Sequence, residues 1–395
     1  MDKTTIVDRV LEGHSEAMKN LGTPAIRRSA YGPLSTLAGE KEYFLGITGL
    51  RGIGKTTLLL QLAKECGAVY LSADDRNLRG VDLYDTIKAL SDAGHKSIFI
   101  DEIHAKPDWD ADLKTAYDES LAYVAFTGSS ALDIKTLKSD LSRRVVLERL
   151  KPASFREWLS IRKGIGLPRL DFKTLIKDKP SLARDLGYAS KLLPEYYSTG
   201  GVLYPAKTQF YKTVVSTIET IAYKDLAATK GVGKDTVENF FKLLQLVASS
   251  QPLELSYSSI GDLLGKNKVW VMRFLANVER TEAIRRIHAC GKGTKPFRKE
   301  AKYYLPFPYR VALCQNAGTT PDKGSLREEF FINHVDCCYN KTSSSAPTAD
   351  FSAFGKTFEV GGPGKGNRQH PDFIVSDSLD TTKNRVPLFL FGLLY

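Results

Sequence analysis

Gly49-Leu50-Arg51-Gly52-Ile53-Gly54-Lys55-Thr56 sets glycines, a lysine and a hydroxyl in the order G-x-x-x-x-G-K-[ST]. Glycines let successive backbone N–H groups close on an anion, and a helix beginning directly afterwards adds its partial positive charge. Gly49, Gly52 and Gly54 therefore read as a phosphate cradle. Lys55 would reach the β/γ-phosphates of a nucleotide, the Thr56 hydroxyl would ligate Mg²⁺, and Thr57 continues the same turn. A second group, Asp101-Glu102, closes the apolar run Ser97-Ile98-Phe99-Ile100. Downstream of a P-loop, Asp101 would hold Mg²⁺ through its waters and Glu102 would polarise an attacking water. Taken together these residues point to nucleotide hydrolysis, not binding alone.

The elements that must position this chemistry are legible around it. Residues 43–47 read as a buried strand entering the loop, and residues 57–64 as a helix leaving it. A strand candidate at 68–72 falls between the two motifs in sequence. It suggests that the P-loop strand and the Asp-Glu strand are not sheet neighbours, the arrangement of additional-strand ATPases. A further strand, 123–127, ends in Gly128-Ser129-Ser130, where Ser129 and Ser130 would face the γ-phosphate as a sensor. Arg143 and Arg144 follow, and either, Arg143 first, could neutralise transition-state charge in cis or from a neighbouring subunit. Two surface arginines ahead of a strand is the competing reading, and Arg51 is ambiguous in the same way.

A chain of 395 residues exceeds one ordinary core, so two to four domains are expected. The net charge of +11 favours an acidic partner such as nucleic acid or a phosphate-rich ligand. The five cysteines are odd in number and form no C-x-x-C pair, so they read as reduced, mostly buried thiols. No signal peptide or membrane span is visible, and residues 386–391 read as a short buried strand. A cytoplasmic protein with no membrane partner is expected.

Residues 160–245 alternate helical patterns with Pro and Gly punctuation and suit a helical lid. Residues 253–312 differ: helices near 259–264 and 269–275 are followed by strand-like runs at 283–287 and 302–305, the order of a winged helix. Basic residues crowd the loop at 291–299 and the second helix, which would neutralise DNA phosphates in a salt-dependent manner. A protein-interaction role for the same module stays open.

Towards the C-terminus, residues 326–335 form an amphipathic helix pattern, followed by Asp350 at a strand opening and Glu359 in the next strand. Restriction-type nucleases use a helix glutamate, an aspartate and Glu-x-Lys in this order. Glu328 or Glu329, Asp350 and Glu359 match, but the lysine position is Gly361. Lys365 from the following Gly-rich loop, or Lys356, would have to replace it. The expected result is a nuclease-like fold that cuts poorly or not at all.

The P-loop segment, Asp101-Glu102-Ile103-His104 followed by Pro107-Asp108-Trp109, Phe126-Thr127-Gly128-Ser129-Ser130 and Ser154-Phe155-Arg156-Glu157-Trp158 carry a resemblance. They resemble ATPases of the AAA+/STAND border with a DUF4143-like C-terminal region, that is, an AAA_14-like core, a winged helix and a PD-(D/E)XK-like domain. The resemblance implies ATP as the nucleotide. The fold expected is α/β: a P-loop NTPase parallel sheet with an N-terminal helix (1–160), a helical lid (161–250), a winged helix (251–315) and a small α/β nuclease-like domain (316–395). The function expected is Mg²⁺-dependent ATP hydrolysis controlling a DNA-binding winged helix and a degenerate nuclease-like domain. The alternatives are an ATP-gated DNA endonuclease and a nucleotide switch that binds a protein partner, with an oligomer compatible with each.

Overall fold

The computed structural model describes residues 1–21, 26–128, 141, 143–205, 208–227, 233–251, 256–291, 301–340, 348–365 and 370–395. The chain divides into two compact units, Met1–Lys151 and Pro152–Tyr395.

In the first unit, five strands form one parallel sheet: β1 (Phe44–Thr48), β2 (Val69–Ser72), β3 (Ser97–Asp101), β4 (Tyr123–Thr127) and β5 (Val145–Arg149). Their order is β2-β3-β4-β1-β5. Every residue of β1, β3 and β4 is buried, as expected of parallel strands covered on both faces. That burial is why they are continuous apolar runs and not alternating ones. The connecting helices are α1 (Lys3–Leu21), α2 (Tyr31–Glu40), α3 (Lys55–Cys66), α4 (Leu83–Asp92) and α5 (Trp109–Asp118). As the sequence suggests, the P-loop strand and the Asp-Glu strand are not neighbours. The strand inserted between them is β4, however, while residues 69–72 lie beyond β3 as β2.

α3 starts at Lys55 because Gly54 takes a left-handed turn, with φ 93°, that a side chain would strain. It stops at Gly67, also left-handed, whose N–H closes on the Ala63 carbonyl. Leu58, Leu59 and Leu62 on its inner face join Ile98, Ile100 and Phe126 of the sheet in the core.

The second unit opens with α6 (Phe155–Lys163), whose N-terminus is a complete capping box between Ser154 and Glu157. Helices α7 (Phe172–Lys177), α8 (Lys179–Leu186), α9 (Leu193–Thr199), α10 (Phe210–Thr220) and α11 (Lys234–Ser249) follow. Next come α12 (Tyr257–Leu264), α13 (Lys268–Arg280) and the antiparallel pair β6 (Arg285–Ile287) and β7 (Lys302–Tyr304). After α14 (Tyr309–Asn316) and α15 (Lys323–His334) comes a five-stranded mixed sheet. It holds β8 (Cys338–Tyr339), β9 (Phe351–Ala353), β10 (Lys356–Gly361), β11 (Phe373–Ser376) and β12 (Arg385–Pro387), in the order β12-β11-β10-β9-β8. An aromatic core of Phe155, Trp158, Tyr196, Phe330, Phe331, Phe358 and Phe391 holds α6, α9, α15 and this sheet together.

Two expectations are corrected here. Residues 386–391 are not one strand: β12 ends at Pro387, and Leu388–Phe391 turn into a short helix, α16. The cysteines are not all free thiols, because Cys290 and Cys338 form a disulfide across 48 residues of sequence. An isolated parallel bridge between Ala289 and Tyr339 sets these two cysteines side by side, a proximity that spacing alone does not reveal. Cys66, Cys314 and Cys337 remain free.

Candidate functional site

The P-loop connects the end of β1 to α3, at the C-terminal edge of the parallel sheet, where β3 delivers Asp101. Gly49 lies so close to the chain beyond β5 that a Cβ there would sit 2.6 Å from the Leu150 carbonyl oxygen and 2.7 Å from Ile53 Cδ1. A bare backbone is therefore needed for the cradle to close. Lys55 is buried at the first position of α3, and its ammonium donates to the Gly49 carbonyl at 2.8 Å and the Leu50 carbonyl at 3.1 Å. Gly52 and Gly54 both have positive φ, and Thr56 and Thr57 are exposed on the first turn of α3.

Thr56 Oγ1 donates to Asp101 Oδ2 at 2.7 Å. A hydroxyl and a carboxylate held together beside a phosphate cradle form the oxygen donor set that suits Mg²⁺, so these residues fit the metal that a P-loop implies. Asp101 is buried and held from two further sides: Thr127 Oγ1 donates to Oδ1, and the Tyr70 hydroxyl donates to Oδ2 at 3.3 Å. Burial, with the Asp101 charge in support, raises the Tyr70 phenol and keeps it a neutral donor.

Glu102 follows in the left-handed region, with φ 51°, which a non-glycine residue adopts at some cost. Its N–H donates to Thr127 Oγ1 at 3.1 Å, and its carboxylate lies 3.3 Å from His104 Nε2. Thr127 and Tyr70 were not singled out from sequence. Their only signal is position, at the end of β4 and in β2, next to the acidic strand.

Residues 41–159 match the family of AAA domains known as AAA_14. This segment is a P-loop ATPase-like domain. An uncharacterized protein of Methanocaldococcus jannaschii is 29% identical over 321 residues, which span 74% of this chain and 67% of that protein. Among solved structures, the Walker-type ATPase of Pyrococcus abyssi is 15% identical, covering 74% of this chain and 97% of its own, with a TM-score of 0.41. The RuvB Holliday junction branch migration motor of Thermotoga maritima is 16% identical, covering 66% and 90%, with a TM-score of 0.29.

Of the other residues expected at the nucleotide of this ATPase-like domain, Ser129 and Ser130 lie outside the described residues. Arg143 is exposed just ahead of β5, whereas Arg144 pairs with Asp118 at 2.7 Å. That ion pair ties the end of α5 to the entry of β5, a structural task that sets Arg144 apart from its neighbour.

In the second unit, Asp350, Glu359 and Lys365 come together and Glu328 adjoins them. Lys365 Nζ lies 2.8 Å from Glu359 Oε1 and 3.8 Å from Asp350 Oδ2. Asp350 N–H donates to Glu359 Oε2 at 3.2 Å, and Asp350 Oδ2 accepts from the Val360 N–H at 2.8 Å. The glycine at 361 now has a reason: a Cβ there would sit 2.6 Å from Lys365 Cδ, so the stem of Lys365 crosses the space that a side chain at 361 would occupy. Lys356 instead pairs with Asp372, at 3.1 Å. Among the described residues no group of three or more His, Cys, Asp or Glu side chains is placed to hold a metal ion. The ammonium of Lys365 faces both carboxylates.

Glu328 and Glu329 separate cleanly. Glu329 is fully buried in an ion pair with Arg310, at 2.8 Å. Glu328 accepts from the Tyr304 hydroxyl at 2.7 Å on the side of Asp350 and Lys365. Burial pushes the Glu328 carboxyl up to about 7, with Lys302 and Lys365 opposing and Asp350 adding to the rise. Between the unfolded value of 4.5 and about 7 the folded chain binds the extra proton, so stability falls as pH rises through that window. The slope is up to about 1.4 kcal/mol per pH unit. Urea melts in EDTA between pH 5 and 8 should show that loss flattening above 7, and Glu328→Gln should remove Glu328's share of it. An unchanged slope in that variant would exclude Glu328 as its source.

No described helix is long and apolar enough to cross a membrane.

Proposed function

We propose that this protein is a Mg²⁺-dependent ATPase whose nucleotide state controls the DNA affinity of a winged helix in its second unit. The observation that carries the catalytic half is the 2.7 Å contact between Thr56 and Asp101, with Lys55 and Glu102 as their immediate neighbours in sequence. In this reading Thr56 and Asp101 hold Mg²⁺, which when bound neutralises phosphate charge. Lys55 leaves its two loop carbonyls to meet the β/γ-phosphates, while the cradle amides orient them. Glu102 turns from His104 to a water in line with the γ-phosphate and takes its proton. As it does so, the water oxygen bonds to the γ-phosphorus and the bond from that phosphorus to the β–γ bridging oxygen breaks, leaving ADP and phosphate. Thr127, which donates to Asp101 and accepts from the Glu102 amide, ties the Glu102 backbone to the Asp101 carboxylate.

The DNA half rests on the order α12, α13, β6, β7 and on the exposed side of α13, where Lys268, Arg273 and Arg280 lie along one helix. The basic loop at 292–300 lies outside the described residues. Measuring phosphate release with and without duplex DNA tests both halves together. Stimulation of several-fold that fades between low and high salt is expected, since phosphate contacts release counterions. Turnover indifferent to DNA, with no mobility shift even at low salt, would favour a switch that binds a protein partner. Val269 and Met272, both exposed on α13, would then be the apolar part of that contact.

A second reading, an ATP-gated DNA endonuclease, draws on the approach of Lys365 to Glu359 and Asp350. The lack of a metal-competent ligand group among the described residues weighs against it. Supercoiled plasmid incubated with the protein, ATP and Mg²⁺ or Mn²⁺ is therefore expected to stay intact. Nicking that disappears in Asp350→Ala would reverse that assignment.

A further inference from the structure

Arg28 stands ahead of α2 and outside the segment that matches the AAA domain family. Its side chain is buried, and its guanidinium spans two segments of the first unit. Nη1 donates to the Ile53 carbonyl inside the P-loop at 2.9 Å, and Nη2 donates to the Lys151 carbonyl, also at 2.9 Å. Lys151 is the last residue of the first unit.

Other contacts join the same two segments. The Leu150 N–H donates to the Thr48 carbonyl at 2.8 Å, extending the β1–β5 register beyond Thr48–Arg149. Gly49 packs its bare Cα against the Leu150 carbonyl. Arg28 itself is fixed from behind, because Tyr31 N–H donates to its carbonyl at 2.9 Å and Gln61 of α3 donates to the Ile26 carbonyl at 3.2 Å.

In a trans peptide the C=O and the following N–H point to opposite sides. Holding the Ile53 carbonyl therefore fixes the direction of the Gly54 N–H, one of the amides that must face a phosphate. The guanidinium is a planar, rigid fork, so the separation of the two carbonyls it binds is fixed as well. Any re-aiming of the Ile53–Gly54 peptide by an incoming phosphate has to be shared with Lys151.

We propose that Arg28 is a positioning residue that couples the conformation of the P-loop to residues 150–151, so that nucleotide occupancy is registered where the first unit ends. This rests on the nucleotide-binding reading above. The test is amide hydrogen exchange on the full chain, native, Arg28→Met and Arg28→Lys, with and without a non-hydrolysable ATP analogue and Mg²⁺. Without nucleotide, Arg28→Met should speed exchange about tenfold in both 49–56 and 150–151, the effect of losing charge-assisted hydrogen bonds. With the analogue, the native chain should show slowed exchange at 150–151. Arg28→Met should still bind the analogue, more weakly, and lose that distant response, while Arg28→Lys, without the planar fork, should regain affinity more than response.

A native-sized response at 150–151 in Arg28→Met would overturn the coupling, as would an apo effect confined to one of the two segments. If Arg28→Met melts early, Arg28→Lys carries the same comparison. A native chain that fails to bind the analogue would sink the ATPase reading instead, and the paired apo effect would still report the linkage.

Discussion

Glu102→Gln is expected to leave ATP binding within a few-fold of native and to slow hydrolysis by about 10²–10³-fold, the usual worth of a placed general base. The substitution keeps the size and shape of the side chain but removes its ability to take a proton. In the proposed mechanism no group assigned to the nucleotide is held through that carboxylate. Lys55 is anchored in the loop, Thr56 is held by Asp101, and Asp101 is held by Thr127 and Tyr70. The backbone contact from Glu102 to Thr127 also survives, because it uses the main-chain N–H. Titration with a fluorescent ATP analogue and steady-state phosphate release separate the two effects. Native turnover in this variant would remove Glu102 from the mechanism. Asp101→Asn would not be so selective, because it disturbs three hydroxyl partners at once.

The eight residues from Gly49 to Thr56 were legible because a phosphate cradle is local: its glycines, lysine and hydroxyl have to be consecutive. Asp101-Glu102 was legible because a buried parallel strand is an unbroken apolar run, and an acidic pair at its end is conspicuous. What surrounds Asp101 was not. Thr127 and Tyr70 reach it from 26 and 31 residues away, across strands whose order no local pattern encodes. For the same reason sequence suggests that the P-loop strand and the Asp-Glu strand are apart but not that β4 is the strand between them. Arg28 carries no motif at all, and its meaning appears only when the Ile53 and Lys151 carbonyls are seen on either side of one guanidinium.

The C-terminal cluster shows the same boundary from the other side. The order of Glu328, Asp350 and Glu359 along the chain was readable, and so was the break at Gly361. Whether Lys365 could return to the carboxylates depended on the turn at residues 362–364, which brings its stem across the face of Gly361. The Cys290–Cys338 pair depended likewise on a bridge between β-segments 50 residues apart in sequence, Ala289 and Tyr339. Sequence shows which groups are present, but the long-range register decides which of them meet.

Glu329→Ala should destabilise the second unit by about 3–5 kcal/mol, the cost of leaving one member of a buried ion pair behind. Arg310 and Glu329 are each about 1% exposed, so water cannot replace the lost partner. The carboxylate also accepts from the Leu305 N–H at 3.0 Å, a second donor that the variant orphans. Arg310 in turn donates to the carbonyls of Val247 and Ala248, both at 2.7 Å, and of Ser250 at 3.0 Å. One guanidinium thus ties the end of α11 to α14 and α15, and Arg310→Met should cost a similar amount. The double variant Arg310→Met/Glu329→Leu should recover part of the loss, because two apolar side chains need no counter-charge. Urea melts of the full chain measure all three, and nucleotide titration reports whether the first unit stays intact. A loss below about 1 kcal/mol for Glu329→Ala would be that of an exposed pair and would contradict this account. The result also bears on chemistry: a glutamate that carries this much of the fold is committed to Arg310, which leaves Glu328 as the helix carboxylate able to answer Asp350 and Lys365.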